Sequence, residues 1–280
     1  MELDLIDVFG SAPMRGNQLG VVHGAESMTD EQMLRLTQWL GFSETTFLLP
    51  PTDPAADYRV RIFYPAGELP FAGHPTLGSC HAWLESGGQP IGDKVIVQEC
   101  GIGLVEIRRN GERLSFRAPE LSDYRPLDKA ERAKAVELCG VNPDSVVEAV
   151  DISNGPNWQL LRLDSADAVL AANPVAKAPA GTDLGLAGPV SGGEIDWEIR
   201  AFFGDQNGTF REDPVTGSFN AGVAVHLFET GQVEGNYRAA QGRETGADGL
   251  IHCSRDEDGS IWIGGTSATV SSGAALPLFV

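Results

Sequence analysis

The sequence predicts an α+β fold built from two similar, pseudo-symmetric domains, and three observations support this prediction. Segments with the pattern of β-strands outnumber those with the pattern of helices, and each half of the chain contains about two helices. A chain of 280 residues is long enough for two domains of about 140 residues. The third observation is a short motif that occurs once in each half.

The repeated motif reads HPTLGS at residues 74–79 and DPVTGS at residues 213–218. An offset of 139 residues, close to half of the 280, aligns the Pro, Gly and Ser of the two copies. The same offset maps three flanking residues onto identical ones: Arg61 onto Arg200, Phe63 onto Phe202 and Phe71 onto Phe210. Because a duplicated domain commonly shares one site with its copy, we expect both motifs to serve one functional site.

The first half is predicted to contain two helices among short strands. Thr29 and Gln32 make a capping box and Gly41 supplies a stop, which predicts a helix over residues 29–40. The second helix is predicted over residues 75–84. The predicted strands of this half are residues 3–9, 19–22, 45–49, 58–64, 95–97, 103–107 and 114–116.

The second half has a similar composition of elements. A capping box of Asp128 and Glu131, with Gly140 as the stop, predicts a helix over residues 128–139, and another helix is predicted over residues 214–229. The predicted strands are residues 146–150, 158–163, 196–203, 250–252 and 261–263. The predicted domains are residues 1–118, which residues 267–280 could complete, and residues 119–266.

Both copies of the motif are expected to begin a helix. Proline is favoured at the first helical position, so Pro75 and Pro214 would place His74 and Asp213 at the N-cap positions. The N–H groups and the dipole of a helix N-terminus attract anions. Two such ends, each beside a titratable side chain, would hold a small carboxylate substrate. The alternative is structural, since Asp before Pro is a common helix cap.

Glu44 and Asn17 are two further candidate residues. Glu44 lies between a predicted helix and an apolar strand, where Phe42 and Phe47 would desolvate its carboxylate and raise its pKa toward the range useful for proton transfer. A hydrophilic surface turn is the alternative. Asn17, in the loop before the second strand, could orient substrate or be an ordinary turn residue.

Composition argues against several classes of function. The net charge of −19 disfavours nucleic acids and anionic membranes as partners, because binding them requires clustered Lys and Arg. No apolar run reaches the roughly 18 residues needed to span a bilayer. The four cysteines are scattered without metal-ligand spacing. With no recognisable signal peptide, we expect a cytoplasmic protein without a bound metal.

Several segments together resemble the PhzF-like family of phenazine biosynthesis. They are Asp7-Val-Phe9, Arg15-Gly-Asn17, Ser43-Glu-Thr-Thr-Phe47, Glu68-Leu-Pro-Phe-Ala-Gly-His-Pro-Thr76 and Glu212-Asp-Pro-Val-Thr-Gly-Ser218. The resemblance runs from residue 4 to about residue 265. It implies the diaminopimelate-epimerase-like fold, in which each domain wraps a curled β-sheet or barrel around a central helix and the site lies between the domains. It also implies a homodimer.

The resemblance further implies roles for individual residues. It makes Glu44, His74 and Asp213 the catalytic residues, and Asn17, Gly73, Gly217 and Ser218 the residues that bind substrate. It implies neither a cofactor nor a metal. The chain departs from the family pattern at Phe219-Asn220 and at residues 243–248. These departures leave the identity of the substrate open.

The predicted function is a cofactor-independent isomerase that moves a proton within a small carboxylic acid, such as a cyclic, hydroxyanthranilate-like compound. Glu44 would act first as the base and then as the acid. Epimerisation or racemisation of an amino-acid-like substrate is one alternative, and a non-catalytic protein that binds small molecules or proteins is another. Racemisation by two thiols is disfavoured, because His74 and Asp213 occupy the positions where related epimerases carry cysteine.

Overall fold

The structure, a computed structural model, describes residues 1–92 and 94–276. It contains two compact units. Unit 1 consists of Met1–Arg117 and the chain from Gly264 onward, and unit 2 consists of Ala118–Ile263. The chain therefore leaves unit 1, forms all of unit 2, and returns to unit 1. The last four residues of the segment that could complete the first domain, 277–280, lie outside the described residues.

The elements of unit 1 are β1 Glu2–Val8, β2 Asn17–His23, α1 Asp30–Leu40, β3 Glu44–Leu49, β4 Tyr58–Tyr64, β5 Gly67–Leu69, α2 Gly73–Glu85, β6 Ile96–Cys100, β7 Gly103–Asn110 and β8 Arg113–Arg117. Those of unit 2 are β9 Asp123–Pro126, α3 Lys129–Cys139, β10 Val146–Ser153, β11 Gln159–Leu163, α4 Ala166–Leu170, β12 Asp183–Pro189, β13 Trp197–Gly204, β14 Phe210–Asp213, α5 Gly217–Glu229, β15 Asn236–Gln241 and β16 Gly249–Arg255. The last strand, β17 Ile261–Ala275, begins in unit 2 and continues in unit 1.

The sheet of unit 1 closes into a barrel of eight strands around helix α2. The strands pair in the order β1, β2, β3, β4, β6, β7, β8 and β17, and β17 pairs again with β1. Helix α2 contacts β1, β2, β3, β6 and β8, and every residue from Gly73 to Cys80 is buried. This burial on all sides is typical of a central helix rather than an amphipathic surface helix.

A glycine in the middle of α2 allows the helix to approach the barrel wall. A Cβ atom at Gly78 would lie 2.5 Å from Leu19 Cδ2 and 2.9 Å from Val8 Cγ2. Real Cβ atoms do not approach carbon atoms this closely, so a larger residue would push the helix away from β1 and β2. Gly222 of α5 has the same role in unit 2, where a Cβ atom would lie 2.8 Å from the carbonyl oxygen of Ile152.

Unit 2 repeats the strand order of unit 1 around α5. Its strands pair in the order β9, β10, β11, β12, β13, β15 and β16. The pairs β11–β12 and β13–β15 are parallel, as β2–β3 and β4–β6 are in unit 1, and the other pairs are antiparallel. Helix α5 is buried from Gly217 to Phe228 apart from Val225. The predicted α+β fold with a central helix in each half is confirmed.

The remaining helices cover the outer faces of the two sheets. In unit 1, Met33 and Leu36 of α1 pack with Phe47 and Phe63 of the barrel. In unit 2, α3 and α4 pack on strands β11 to β13 in a second apolar cluster. Both predicted capping boxes are present, with Thr29 preceding α1 and Asp128 preceding α3. These local signals predicted the starts of the two surface helices correctly.

A hairpin with an ion pair is duplicated in the two units. Arg61 of β4 forms two hydrogen bonds with Glu68 of β5, and Arg200 of β13 forms two with Glu212 of β14. Each arginine also lies 5.1 Å from the ring centre of the phenylalanine two residues later. The two arginines are 139 residues apart, whereas the two glutamates are 144 apart. The second hairpin is longer at its tip, because Tyr64 pairs with Gly67 but Phe203 pairs with Arg211.

The longer hairpin changes which residues correspond in the two central helices. Helices α2 and α5 both have 13 residues, begin with Gly73 and Gly217, and end with glutamate. Their offset is therefore 144, and the residue of α5 that corresponds to His74 is Ser218. The alignment of the two motifs at an offset of 139 is wrong for the helices. The shared proline, glycine and serine occupy different places in the two units.

The prediction that Pro75 and Pro214 begin the helices is also wrong. The N-cap residues are Ala72 and Thr216, so Pro75 is the third residue of α2 and Pro214 lies before α5. Proline is tolerated at the third position because the first N–H groups of a helix have no partner within the helix. His74 is the second residue of α2, and Asp213 is the last residue of β14. Neither residue is an N-cap.

Candidate functional site

Unit 1 brings three predicted site residues together at the start of α2. Strands β2 and β3 are parallel with Leu19 opposite Glu44, so Asn17 and Glu44 lie at the same ends of neighbouring strands. His74 Nε2 lies 3.5 Å from Glu44 Oε2, and His74 Nδ1 lies 3.5 Å from Asn17 Nδ2. The imidazole is therefore placed between the carboxylate and the amide. Asn17 is the first residue of β2 rather than a loop residue.

Burial keeps the imidazole of His74 neutral. The residue is 3% exposed, and burial lowers the pKa of His74 to about 3, against a smaller effect of a hydrogen bond with the backbone of Gln18. A neutral imidazole has one donor and one acceptor nitrogen. Next to a carboxylate, such a ring can take part in moving a proton without itself carrying a charge. Glu44 and His74 thus form a pair suited to proton transfer.

A buried aspartate fixes the loop that leads to Asn17. The carboxylate of Asp7 accepts hydrogen bonds from the backbone N–H groups of Arg15 at 3.1 Å and Gly16 at 2.8 Å. Burial raises the pKa of Asp7, and these hydrogen bonds oppose that shift. A Cβ atom at Gly16 would lie 2.1 Å from the carbonyl oxygen of Val8, so only glycine fits at this position of the loop. Asp7 and Gly16 therefore position the start of β2.

In unit 2, Asp213 belongs to a hydrogen-bonded network at the start of α5. Thr216 Oγ1 donates to Asp213 Oδ2 at 2.6 Å, and Gln241 Nε2 donates to Thr216 Oγ1 at 2.9 Å and to the carbonyl oxygen of Asp213 at 3.2 Å. Gln241 Oε1 in turn accepts from the backbone N–H of Thr216 and from Asn220 Nδ2. The network fixes the carboxylate of Asp213 relative to the first turn of the helix.

Ser218, the second residue of α5, is held by two side chains. Trp158 Nε1 donates to Ser218 Oγ at 3.0 Å, and Asn154 Nδ2 donates to the carbonyl oxygen of Ser218 at 2.8 Å. Gly217 precedes it as the first helical residue, and Thr216 provides no side-chain cap. The start of α5 therefore combines backbone N–H groups with a fixed hydroxyl, an arrangement that favours an anion.

The sequence did not identify Thr216, Gln241, Asn154 or Trp158 as site residues. Their partners are distant in the chain, since Trp158 and Ser218 are 60 residues apart and Gln241 and Thr216 are 25 apart. Because no strand was predicted at residues 236–241, the position of Gln241 at the end of β15 was not a usable signal. Contacts over such distances are set by the closure of the sheet around the helix rather than by a local pattern.

A separate cavity of about 840 Å³ lies in unit 1 beside the C-terminal half of α2. Its lining includes His81, Glu85, Lys94, Arg109 and Glu112, but does not include Asn17, Glu44 or His74. The lining contains both cationic and anionic side chains, so its charge favours no particular class of ligand. Among the residues that the structure describes, no helix is long and apolar enough to cross a bilayer.

Comparison with known proteins identifies relatives over nearly the whole chain. The family model described as "Phenazine biosynthesis-like protein" matches residues 6–273. "Antisense-enhancing sequence 1" of Schizosaccharomyces pombe is 32% identical, with 96% of this chain and 96% of the relative covered. A trans-2,3-dihydro-3-hydroxyanthranilate isomerase of Pseudomonas fluorescens is 31% identical, with 82% of this chain and 81% of the relative covered.

A solved structure has the same fold. It is described as a predicted epimerase from Pseudomonas aeruginosa and superimposes with a TM-score of 0.80 at 26% identity, covering 99% of both chains. The match extends over unit 1 and unit 2 alike, so both sheets and both central helices belong to a fold already observed experimentally.

Proposed function

Because this chain belongs to the phenazine biosynthesis-like protein family, we propose that it is an isomerase that moves a proton within a small carboxylic acid without a cofactor or metal. The observation that carries the proposal is the Glu44–His74 pair, in which a carboxylate oxygen lies 3.5 Å from a buried, neutral imidazole. The relative from Pseudomonas fluorescens, named as an isomerase of a hydroxylated dihydroanthranilate, supports a cyclic amino acid as the substrate class.

In the proposed reaction, Glu44 removes a proton from one carbon of the substrate and returns it to another. The double bonds shift between these two steps, so atoms and charge balance without a co-reactant. His74 is held by Asn17 and orients the Glu44 carboxylate or the substrate, and its neutral ring accepts or donates a hydrogen bond as the charge moves. A residue that both accepts and donates the proton explains why a single carboxylate is sufficient.

We propose that residues at the start of α5 in unit 2 bind a carboxylic acid of this class. The backbone N–H of Gly217 and the hydroxyl of Ser218 suit a carboxylate, since a helix N-terminus carries partial positive charge. Asp213 suits the amino group of an anthranilate-like compound, because its carboxylate is oriented by Thr216 and Gln241. Gly73, the corresponding first residue of α2, lets substrate approach the backbone beside His74.

The test is the substitution Glu44→Gln, assayed with trans-2,3-dihydro-3-hydroxyanthranilate and a panel of related cyclic amino acids. We expect kcat to fall by about 10²- to 10⁴-fold with substrate binding nearly unchanged, because the amide keeps the shape but cannot accept a proton. Glu31→Gln, an exposed glutamate of α1, is the matched control and should retain full activity. A fully active Glu44→Gln enzyme would refute the assignment.

Epimerisation is the second candidate function, because the solved structure from Pseudomonas aeruginosa is described as a predicted epimerase. An epimerase exchanges a proton at one stereocentre, whereas the proposed isomerase moves it between two carbons. Turnover in deuterated water separates the two reactions, since an epimerase incorporates deuterium at the inverted carbon and the substrate keeps its double-bond pattern.

The cytoplasmic location and the homodimer also remain predictions, and light scattering of the purified protein tests the dimer.

A further inference from the structure

Trp158 is a buried residue that contacts the proposed substrate-binding serine but cannot itself reach solvent. It lies directly before β11 and is 4% exposed. Its Nε1 donates to Ser218 Oγ at 3.0 Å, and Ser218 is itself 5% exposed. Two buried polar side chains thus meet at the second residue of α5.

The direction of this hydrogen bond determines what the serine hydroxyl can do. An indole N–H is a donor only, whereas a serine hydroxyl has one donor proton and two acceptor lone pairs. Because Trp158 occupies one lone pair of Ser218 Oγ, the hydroxyl proton must point away from the indole. The serine therefore directs its proton away from the indole, which suits an anionic acceptor, while one lone pair of its oxygen remains.

The packing around Trp158 holds this arrangement in place. The ring of Phe219 lies 5.2 Å from the ring of Trp158, and Gly185 of β12 leaves the space that Phe219 fills. A Cβ atom at Gly185 would lie 2.1 Å from Phe219 Cζ. Asn154 fixes the backbone of Ser218 from the other side. Phe219, one of the departures from the family pattern, thus serves to seat the indole.

Unit 1 has a partner at the corresponding helical position, but with different chemistry. His74 is the second residue of α2, and Asn17, at the start of β2, contacts it. Ser218 is the second residue of α5, and Trp158 contacts it from directly before β11. The second residue of each central helix is thus contacted by a residue at or just before the start of a strand, β2 in unit 1 and β11 in unit 2. Only unit 2 supplies a partner that is purely a donor.

We infer that Trp158 is a positioning residue that makes the Ser218 hydroxyl a hydrogen-bond donor to the carboxylate of the substrate. The inference rests on the proposed function, since it assigns how the carboxylate is recognised. A substrate carboxylate is present in both the ground state and the transition state. Loss of this contact therefore raises KM, or the Kd of a carboxylate probe, more than it lowers kcat.

The experiment is a double-mutant cycle of Trp158→Phe and Ser218→Ala, with 3-hydroxyanthranilate as the binding probe. Phenylalanine keeps the ring against Phe219 but removes the N–H donor. We expect each single variant to raise Kd by about 3- to 10-fold, and the double variant to bind no more weakly than Ser218→Ala. 2-Aminophenol, which corresponds to the probe without its carboxylate, should bind the Trp158→Phe variant and the wild type with nearly equal affinity.

Trp262→Phe is the matched control in the same unit. It also removes an indole hydrogen bond, from Trp262 Nε1 to Asp256 Oδ2 at 3.1 Å, and should leave Kd unchanged. Should Trp158→Phe not fold, the indole proton resonance of Trp158 in the folded protein gives a second measurement. That resonance should shift in Ser218→Ala, while the resonance of Trp262 should not.

Two results would overturn this inference but leave the proposed carboxylate site intact. One is an unchanged Kd for folded Trp158→Phe, and the other is a Kd increase in the double variant equal to the product of the increases in the two single variants. Either result means that Trp158 does not act through Ser218. A wild-type protein that fails to bind the probe, or a Ser218→Ala variant with unchanged Kd, would overturn the proposed carboxylate site and the inference with it. The Glu44→Gln assay then shows whether proton transfer survives as a function.

Discussion

Glu198, on β13, is a fully buried carboxylate, and its surroundings are unusual for an acidic residue. Its side chain is 1% exposed, and the guanidinium of Arg243 lies 3.3 Å away. Burial raises the pKa of Glu198 to about 7, against the opposing effect of Arg243 and, more weakly, Arg200. The nearby carboxylates of Glu244 and Asp248 raise it further. Near neutral pH, the folded protein therefore holds a proton on Glu198 that a solvated glutamate would release.

The raised pKa of Glu198 predicts a pH-dependent stability. The folded state binds the proton more tightly than the unfolded state, so the contribution of Glu198 to the unfolding free energy is greatest below pH 4.5. It decreases as pH rises from 4.5 to about 7. The full change corresponds to up to about 3 kcal/mol. Denaturant unfolding of Glu198→Gln and wild type should show the variant gaining relative stability between pH 5 and pH 8.

The control for this prediction is Glu194→Gln, whose side chain is 86% exposed. Its stability relative to wild type should not vary across the same pH range, because its side chain is in contact with solvent in both the folded and the unfolded state. Parallel pH curves for Glu198→Gln and wild type would contradict the assignment of a proton to Glu198.

At the level of elements, the duplicated hairpin offers the same ion pair in two environments. The Arg61 and Glu68 side chains are 25% and 42% exposed, whereas those of Arg200 and Glu212 are 6% and 13% exposed. Arg200 also donates to the carbonyl oxygens of Val169 and Ala172 near the end of α4. Arg61 instead donates to the exposed carboxylate of Asp30 at the start of α1. Each arginine therefore connects its hairpin to a helix, but only Arg200 does so through buried carbonyl groups.

We expect Arg200→Met to destabilise unit 2 far more than Arg61→Met destabilises unit 1. Removing Arg200 leaves Glu212 and two carbonyl groups buried without their donor, which costs about 3–5 kcal/mol. Removing Arg61 breaks two solvent-accessible pairs, with Glu68 and Asp30, each worth about 1 kcal/mol or less. Native-state hydrogen exchange, read separately for amides of β13 and β4, measures both effects. Equal losses of protection would show that burial does not determine how much the ion pair contributes to stability.

A second prediction at the level of elements concerns the packing of the central helix α2. Gly78→Ala should destabilise unit 1 by about 1–3 kcal/mol, because the added methyl group overlaps Leu19 and Val8 in a closed barrel that cannot widen locally. Gly92→Ala is the control, since the nearest atom to its Cβ is 3.5 Å away. Thermal unfolding of the two variants should separate them clearly. A Gly78→Ala protein with wild-type stability would mean that α2 shifts freely inside the barrel.

The sequence predicted the starts of helices well where the signal came from neighbouring residues, and poorly where packing inside the sheet determined the start. Helices α1 and α3 begin after their predicted capping residues, Thr29 and Asp128, because a cap involves only neighbouring residues. The central helices begin elsewhere than at the prolines, because burial inside a barrel outweighs the preference of proline for the first position. Trp158 as the partner of Ser218 could not be predicted, since it depends on how distant strands close around α5.

At the level of the whole molecule, unit 1 depends on a strand that follows unit 2 in the chain. Strand β17 pairs with both β1 and β8, so it closes the barrel. Deleting residues 264–280 should leave β1 and β8 as open edges and unfold unit 1, while residues 118–263 retain their fold. Limited proteolysis with mass spectrometry should then recover a resistant fragment from unit 2 only. Survival of both units would show that the barrel is stable when open.

The discontinuity of unit 1 has a consequence for how the protein is made. A ribosome releases β1 to β8 first, but their barrel cannot close until β17 leaves the exit tunnel. Unit 2 is contiguous in the chain, so it can fold while the residues of unit 1 that precede it are still unfolded. During that interval the exposed edges of β1 and β8 are open to pairing with other nascent chains. A chaperone acting during synthesis would therefore be needed most by the part of the protein that is translated first.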